Sequence, residues 1–197
     1  MTKAIAVKQN LLGALEIALF MKKGAQRFDA GKSAMIKSFI IPIILLPLSL
    51  LTVLSGHPNQ GIDTASLQIL AGLYSLRMVI SLAAFLGFVY FMAKTMDREE
   101  DFNRFVTANN WISIPAAALM LPATMLFLNG NHSWEEIYPL MVFITLYAYA
   151  YTGFMATYVM RIPYEMAGFI AIGGLAIHHN VLIFMKWAAV NTLSLLA

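Results

Sequence analysis

The chain has 197 residues, of which 60% are hydrophobic and only 12% charged, and its mean hydropathy is +0.72. A water-soluble domain of this length carries far more polar surface, so the composition excludes one. The formal net charge is +3, and the absence of cysteine excludes disulfides, thiolate metal sites and thiol catalysis.

Residues 1–34 form a basic segment in which apolar residues alternate with lysines. Lys8, Gln9 and Asn10 interrupt its apolar run, which argues against a cleaved secretory signal. The spacing predicts an amphipathic helix lying in the membrane interface, with its lysines directed toward anionic lipid headgroups. The alternative is a helix packed beneath the bundle, with the lysines merely solvated.

Five apolar stretches follow, and each is long enough to cross a bilayer as a helix, which takes roughly 20 residues. They predict an all-α membrane protein whose residues 35–197 form one transmembrane domain. Continuous apolar runs of this length do not fit the alternating strands of a β-barrel. The predicted spans are 35–54, 67–93, 105–128, 137–160 and 166–187.

Basic residues mark alternate links between these spans. Lysine and arginine are frequent in the N-terminal segment and in link 94–104, and Arg161 lies in the last turn. Links 55–66 and 129–136 contain neither. The positive-inside rule therefore predicts a cytoplasmic N-terminus, a C-terminus on the opposite side, and a bacterial-type inner membrane. Lys186 departs from the rule and could snorkel to the interface.

Two outward-running spans each contain a pair of prolines. Pro42 and Pro47 lie in the first span, and Pro115 and Pro122 in the third. A proline inside a helix removes a backbone donor and tends to produce a kink. The pairs suggest that spans one–two and three–four are related hairpins. The alternative is that prolines are simply common in membrane helices.

Small residues occur at helical spacing in the last two spans. Such faces let membrane helices approach closely, and a very short turn joins these spans. The pattern predicts close antiparallel packing of spans four and five. The small residues are Ala150 and Gly153 in the fourth span and Ala167, Ala171 and Gly174 in the fifth.

Arg77 is the basic residue placed well inside a span. It lies about ten residues from position 67, hence roughly 15 Å deep in a helix, near the middle of a hydrocarbon core about 30 Å thick. An intramembrane charge is expensive and indicates a functional site. Three interpretations are open: a structural role, an anion or lipid site, and transport. The polar cluster predicted at this depth is Arg77, Tyr147, Tyr151, His178, His179 and Asn180.

Other chemistry is not indicated. His178 and His179 are adjacent on a helix, so their side chains point about 100° apart and do not make a metal site. The sequence contains no phosphate-binding loop, zinc-protease motif or serine nucleophile motif. We therefore expect no enzyme activity, no cofactor, no metal and no nucleic-acid partner.

Two segments resemble a known family. The first span reads FIIPIILLPLSLL, and a polar, aromatic entry leads into the next proline-containing span as FNRFVTANNWISIP. Following a basic N-terminal segment and within a five-span layout, they resemble the Yip1-type membrane proteins. The resemblance implies a five-helix membrane fold and a membrane-organising or partner-binding role, and it implies no catalytic residue.

The sequence thus favours a non-enzymatic, Yip1-like membrane-organising protein. A small transporter, channel or anion- or lipid-binding protein using Arg77 is the first alternative, and an accessory subunit of a larger membrane complex is the second. Expected partners are the lipid bilayer, anionic lipids at the N-terminal lysines and a second copy of the chain. Transport predicts a water-accessible cavity reaching Arg77, whereas a structural role predicts a guanidinium enclosed by carbonyls and hydroxyls in a dry bundle.

Overall fold

The computed structural model describes residues 3–55, 64–128 and 133–196, and within these ranges it contains helices and no strand. Residues 56–63 of link 55–66 and residues 129–132 of link 129–136 lie outside the described residues. A short 3₁₀ helix, Lys22–Arg27, follows the first α-helix. The α-helices are α1 (Lys3–Ala18), α2 (Lys32–Ser38), α3 (Ile40–Ser55), α4 (Thr64–Thr95), α5 (Glu99–Leu128), α6 (Trp134–Met160) and α7 (Tyr164–Leu196).

Four helical stretches are long and apolar enough to cross a membrane, which indicates a multi-pass membrane protein. They are Lys32–Leu51, Ala71–Thr95, Glu135–Met160 and Tyr164–Met185, and they match four of the five predicted spans. The remaining predicted span, 105–128, lies within α5. This helix is continuous over 30 residues, but it opens with three acidic residues, Glu99, Glu100 and Asp101, and is not among the four.

Pro42 explains a break in the first span. A continuous helix would bring the ring of Pro42 against the carbonyl of Ser38, four residues earlier. Accordingly α2 ends at Ser38 and α3 begins at Ile40. Helices α3 and α5 run unbroken through Pro47, Pro115 and Pro122, so among these prolines only Pro42 coincides with a break.

The long helices form a ring. Helix α3 packs on α5, α5 on α6, α6 on α7, and α7 on α4. We call the end of the ring that carries Lys94, Arg98 and Arg161 the basic end, and the opposite end the far end. At the basic end α4 also meets α5, where Phe85 faces Phe105 and Tyr90 faces Phe102.

The turn between α6 and α7 is fixed by Arg161. Its backbone is in the left-handed region at φ 56°, which ends α6. Its side chain donates to Asp101 through Nε and a terminal nitrogen at 2.9 and 2.7 Å, and to Glu100 at 2.7 Å. The start of α5 is therefore tied to the α6–α7 turn.

The basic-end half of α5 is enclosed by protein. It contacts α1, α2, α4 and α6. Side chains on several of its faces are at most 3% exposed, among them Asp101, Phe105, Thr107, Ala108 and Asn110. A helix surrounded by protein need not present an apolar surface to lipid, which explains how α5 tolerates a polar first half.

Residues 3–28 fold into a tight unit, which we call the N-terminal hairpin. Arg27 donates to both carboxylate oxygens of Glu16 at 2.6 Å and to the Gln9 side chain at 2.7 Å. These bonds hold the pKa of Glu16 below its usual range. The backbones approach so closely that a Cβ on Gly24 would lie 2.7 Å from the Gly13 carbonyl oxygen.

Helix α1 has one face against the bundle and one face outward. Ala14, Ile17 and Ala18 are buried with residues of α5 and α6 in the core. This is the packing of a helix docked on the bundle. The outward face is also apolar and exposed, with Val7, Leu11, Leu15 and Leu19 at four-residue spacing. Contact of that face with the membrane interface stays a prediction.

We expect Gly24→Ala to destabilise the protein by roughly 1–3 kcal/mol, because the new methyl group would collide with backbone atoms that cannot move away. The measurement is thermal unfolding in a neutral detergent. Gly87→Ala is the control, since a Cβ there meets nothing within 4 Å. Equal effects of the two substitutions would contradict the close approach.

The Arg27–Glu16 ion pair predicts a pH dependence. The pKa of Glu16 is lower in the folded state than its ordinary value of 4.5. Its contribution to stability is therefore complete above that pH and is lost as the pH falls through the lowered pKa. We expect Glu16→Gln to lower the melting temperature at pH 7 and to have a shrinking effect below pH 4.5. A constant difference across pH would show that the carboxylate charge is unimportant.

Candidate intramembrane site

Arg77 lies on α4, eighteen residues before Thr95, hence about 27 Å along the helix from its basic end. Within the described residues it makes no ion pair, and its Nε atom is buried without a hydrogen-bond partner. The guanidinium carbon lies 5.9 Å from the centre of the Tyr74 ring, one turn earlier. A cation–π contact is thus its one close polar interaction there.

The guanidinium faces a cavity of about 560 Å³. Helices α3 to α7 all contribute to its wall. Half of the lining residues are leucine, isoleucine, methionine and alanine, and most of the wall surface is apolar. The polar lining side chains include Tyr149 and Tyr151 from α6 and His178 from α7. A mostly apolar cavity with a few convergent polar groups is the usual form of a ligand site, and its volume lies in the typical range of roughly 300–1,000 Å³.

The serine and threonine hydroxyl groups around the cavity are already used as donors. Ser49, Ser113, Thr145 and Thr152 each donate to the carbonyl four residues earlier in their own helix, at 2.7–3.3 Å. In contrast, the described structure gives the Tyr149 hydroxyl and the His178 ring no hydrogen bond. The donors around the cavity that have no hydrogen bond in the described structure therefore include those of Arg77, Tyr149 and His178.

These donors come from three helices and include one fixed positive charge. Among the described residues, no aspartate or glutamate lines the cavity, and no group of three acids or histidines could hold a metal ion. Such an arrangement is suited to an anion, because guanidinium binds carboxylate and phosphate oxygens with charge-assisted hydrogen bonds.

A second polar atom near Arg77 also lacks a partner. Ser81 lies one turn further along α4, on the same helix face, and its Oγ is buried without a hydrogen bond in the described structure. Unpartnered polar groups are costly in an apolar medium. A bound polar ligand or water would remove this cost.

The structure brings together only part of the predicted cluster. Tyr151 and His178 line the cavity with Arg77. His178, His179 and Asn180 are all exposed, but His179 and Asn180 do not line the cavity, and Asn180 donates to the carbonyl of Ala176. Successive helical residues diverge by about 100°, so His178 and His179 cannot both face the ring interior.

Tyr147 serves another purpose. Its hydroxyl donates to the Ala18 carbonyl at 2.5 Å, at the last residue of α1. Its ring packs edge-on against Phe20 and Tyr151. Tyr147 therefore connects the N-terminal hairpin to Tyr151 in the cavity wall.

Tyr74 and Tyr149 were missed as members of the cluster. Tyr74 precedes Arg77 by three residues, and this spacing alone places the two side chains on one helix face. Tyr149 carries no such signal, since its direction depends on how α6 is rotated within the ring.

The predicted small-residue faces are divided between two interfaces. A Cβ on Gly153 would lie 3.7 Å from both the Ala167 carbonyl oxygen and the Ala171 Cβ, so these residues lie between α6 and α7. Gly174 instead faces Phe85 of α4. Ala150 is exposed.

Comparison with known protein families, curated proteins and solved structures finds no match. The resemblance to Yip1-type proteins accordingly stays a prediction.

We expect Tyr147→Phe to loosen the N-terminal hairpin, because the Ala18 carbonyl loses its donor. Limited trypsin digestion after Lys22 and Lys23 should speed up roughly two- to tenfold, as expected for about 0.5–1.5 kcal/mol per hydrogen bond. Tyr90→Phe is the control, since the Tyr90 ring packs on Phe102 without a hydrogen bond in the described structure. Equal cleavage of both variants would contradict this role.

Proposed function

We propose that this chain is a non-enzymatic, multi-pass membrane protein that binds an anionic ligand in the cavity at Arg77. One observation carries the proposal. A guanidinium group inside an apolar ring of helices faces a cavity of about 560 Å³, and its Nε has no acceptor in the described structure. A charge at this position is costly unless something pairs with it.

Two other arginines show what a structural arginine looks like in this protein. Arg27 is held by Glu16 at 2.6 Å, and Arg161 is held by Asp101 at 2.7 Å. Each joins two segments of the chain through carboxylates. Within the described ranges Arg77 joins none, so the structural interpretation of Arg77 is disfavoured.

The fold proposal includes a fifth span and an orientation. The second half of α5 is apolar and packs between α3 and α6, which supports α5 as a crossing helix whose polar half is shielded by its neighbours. The basic links then share one side, which the positive-inside rule assigns to the cytoplasm. The N-terminus would be cytoplasmic in an inner membrane, and the C-terminus would lie on the opposite side.

Binding is favoured over transport by the packing at the basic end. Transport needs access from both sides, whereas Phe85, Phe105 and the enclosed half of α5 fill the ring below the cavity. The membrane-organising role, the accessory-subunit role and self-association remain predictions of the sequence, and no particular contact distinguishes among them.

A ligand-binding arginine and a structural arginine predict opposite effects on stability. In delipidated protein we expect Arg77→Met to raise the free energy of unfolding by roughly 1–3 kcal/mol, since it removes an unpaired buried donor. Arg161→Met, the matched control, should lower the melting temperature, because it removes the closer of the two arginines that pair with the buried carboxylate of Asp101. A loss of stability in both variants would contradict the proposal.

The same proteins test binding directly. Inorganic phosphate, acetate and decyl phosphate are added in turn during thermal unfolding. We expect at least one to raise the melting temperature of the wild-type protein and of Arg161→Met, but not of Arg77→Met. If none acts through Arg77, the proposed function is wrong.

A further inference from the structure

We call the interface between two neighbouring helices of the ring a seam, and one seam is loose. Around the ring, α3–α5, α5–α6, α6–α7 and α7–α4 are each in extensive contact, whereas α3 and α4 barely touch in the described part of the chain. Two of the tight seams are especially close. Because Gly153 has no side chain, α7 can approach α6 closely. For the same reason, Gly173 and Gly174 leave room for the rings of Phe88 and Phe85 between α7 and α4.

Both helices beside the loose seam contribute to the cavity wall. Leu45 and Leu48 of α3 and Met78 of α4 line the cavity and are half-buried. Next to them on the outer surfaces lie Ile44 and Val79, both exposed. The cavity wall therefore continues into the lipid-facing surface at this seam, and Arg77 lies just behind it.

Among the described residues, the cavity has no comparable opening toward the basic end or on its α6 side. The aromatic contacts Phe85–Phe105 and Tyr90–Phe102 close the ring toward the basic end. Tyr151, only 2% exposed, closes the α6 side behind the Tyr147 contact with the N-terminal hairpin. A ligand that enters between α3 and α4 comes from the bilayer, not from water at the basic end.

From this geometry we propose that the ligand at Arg77 is a lipid with an anionic phosphate headgroup, which enters sideways between α3 and α4. This inference rests on the proposed function and names its ligand class. The phosphate oxygens accept from the Arg77 guanidinium, the Tyr149 hydroxyl and the His178 ring. The hydrocarbon chain lies in the seam against Leu45, Leu48 and Met78.

Two features favour a lipid over a free oxyanion. A cavity of about 560 Å³ is far larger than an inorganic phosphate needs, since a water molecule takes about 30 Å³. Its wall is mostly apolar, which suits hydrocarbon rather than a hydrated ion. A lipid can also reach the seam by diffusing within the bilayer.

The test uses the full-length protein, delipidated in a neutral detergent and examined by native mass spectrometry. Phosphatidylglycerol and phosphatidylcholine of matched chain length are added separately. We expect the wild-type protein to retain phosphatidylglycerol in preference to phosphatidylcholine. Arg77→Gln should reduce the bound fraction at least about tenfold, as expected for losing charge-assisted hydrogen bonds.

Two further variants keep the result interpretable. Lys94→Gln removes one positive charge from the exposed end of the same helix, and it should leave binding unchanged. Arg77→Lys keeps the charge but loses the planar fork, and it should bind at an intermediate level. It also reports on the site if Arg77→Gln fails to fold. Equal binding by the wild type, Arg77→Lys and Arg77→Gln would overturn the inference.

A competition arm separates the two proposals. Inorganic phosphate and glycerol 3-phosphate, at millimolar concentration, should not displace the lipid. If these soluble anions bind in an Arg77-dependent way and phosphatidylglycerol does not, the lipid inference fails and the proposed function stands. If no anion of either kind depends on Arg77, both fail.

The route is tested by photo-crosslinking, in which a photoreactive amino acid is introduced at one position at a time. A photoreactive amino acid at Leu48 should capture phosphatidylglycerol, and this capture should fall when Arg77 is replaced by Gln. The same amino acid at Ile172, which is exposed on α7 away from the seam, should capture lipid regardless of Arg77. Arg77-independent capture at both positions would refute the lateral route.

Discussion

The arrangement of this protein depends on one constraint: inside a bilayer, a polar group has to find its partner within the protein. Helix α5 meets that constraint by being surrounded. The N-terminal hairpin, α2, α4 and α6 cover its polar half. Asp101 accepts hydrogen bonds from Arg161, and the Asn110 amide donates to the Ser38 hydroxyl at 2.8 Å. The tight packing at the basic end follows from covering this one helix.

The same constraint makes the other half of the ring unusual. Beyond Phe85 and Phe105 the helices no longer fill the interior, and the space that opens contains Arg77, which no acid among the described residues neutralises. The molecule thus divides into a packed end that supplies stability and an open middle that supplies a site. The hairpin belongs to both, because Tyr147 binds the Ala18 carbonyl and also supports Tyr151 in the cavity wall.

The limits of sequence reasoning are visible in particular residues. Four spans and the exceptional position of Arg77 could be predicted, because hydropathy and an isolated charge are local properties of the chain. The cluster around Arg77 could be predicted only in part. Tyr151 and His178 do face the cavity, whereas Tyr147 turns to the hairpin and His179 and Asn180 lie outside. Equal depth along neighbouring helices brings residues to one level but does not say which way each helix is rotated.

By itself, then, the sequence determined the helical class and four of the stretches that are long and apolar enough to cross a membrane, since each follows from side-chain polarity along short segments. Only the tertiary structure decided the order of helices around the ring, the loose seam between α3 and α4, and the enclosure of α5. Those features come from contacts between residues far apart in the chain, such as Ser38 with Asn110 and Ala18 with Tyr147. Shape matching between helix faces sets such contacts, and no local pattern encodes it.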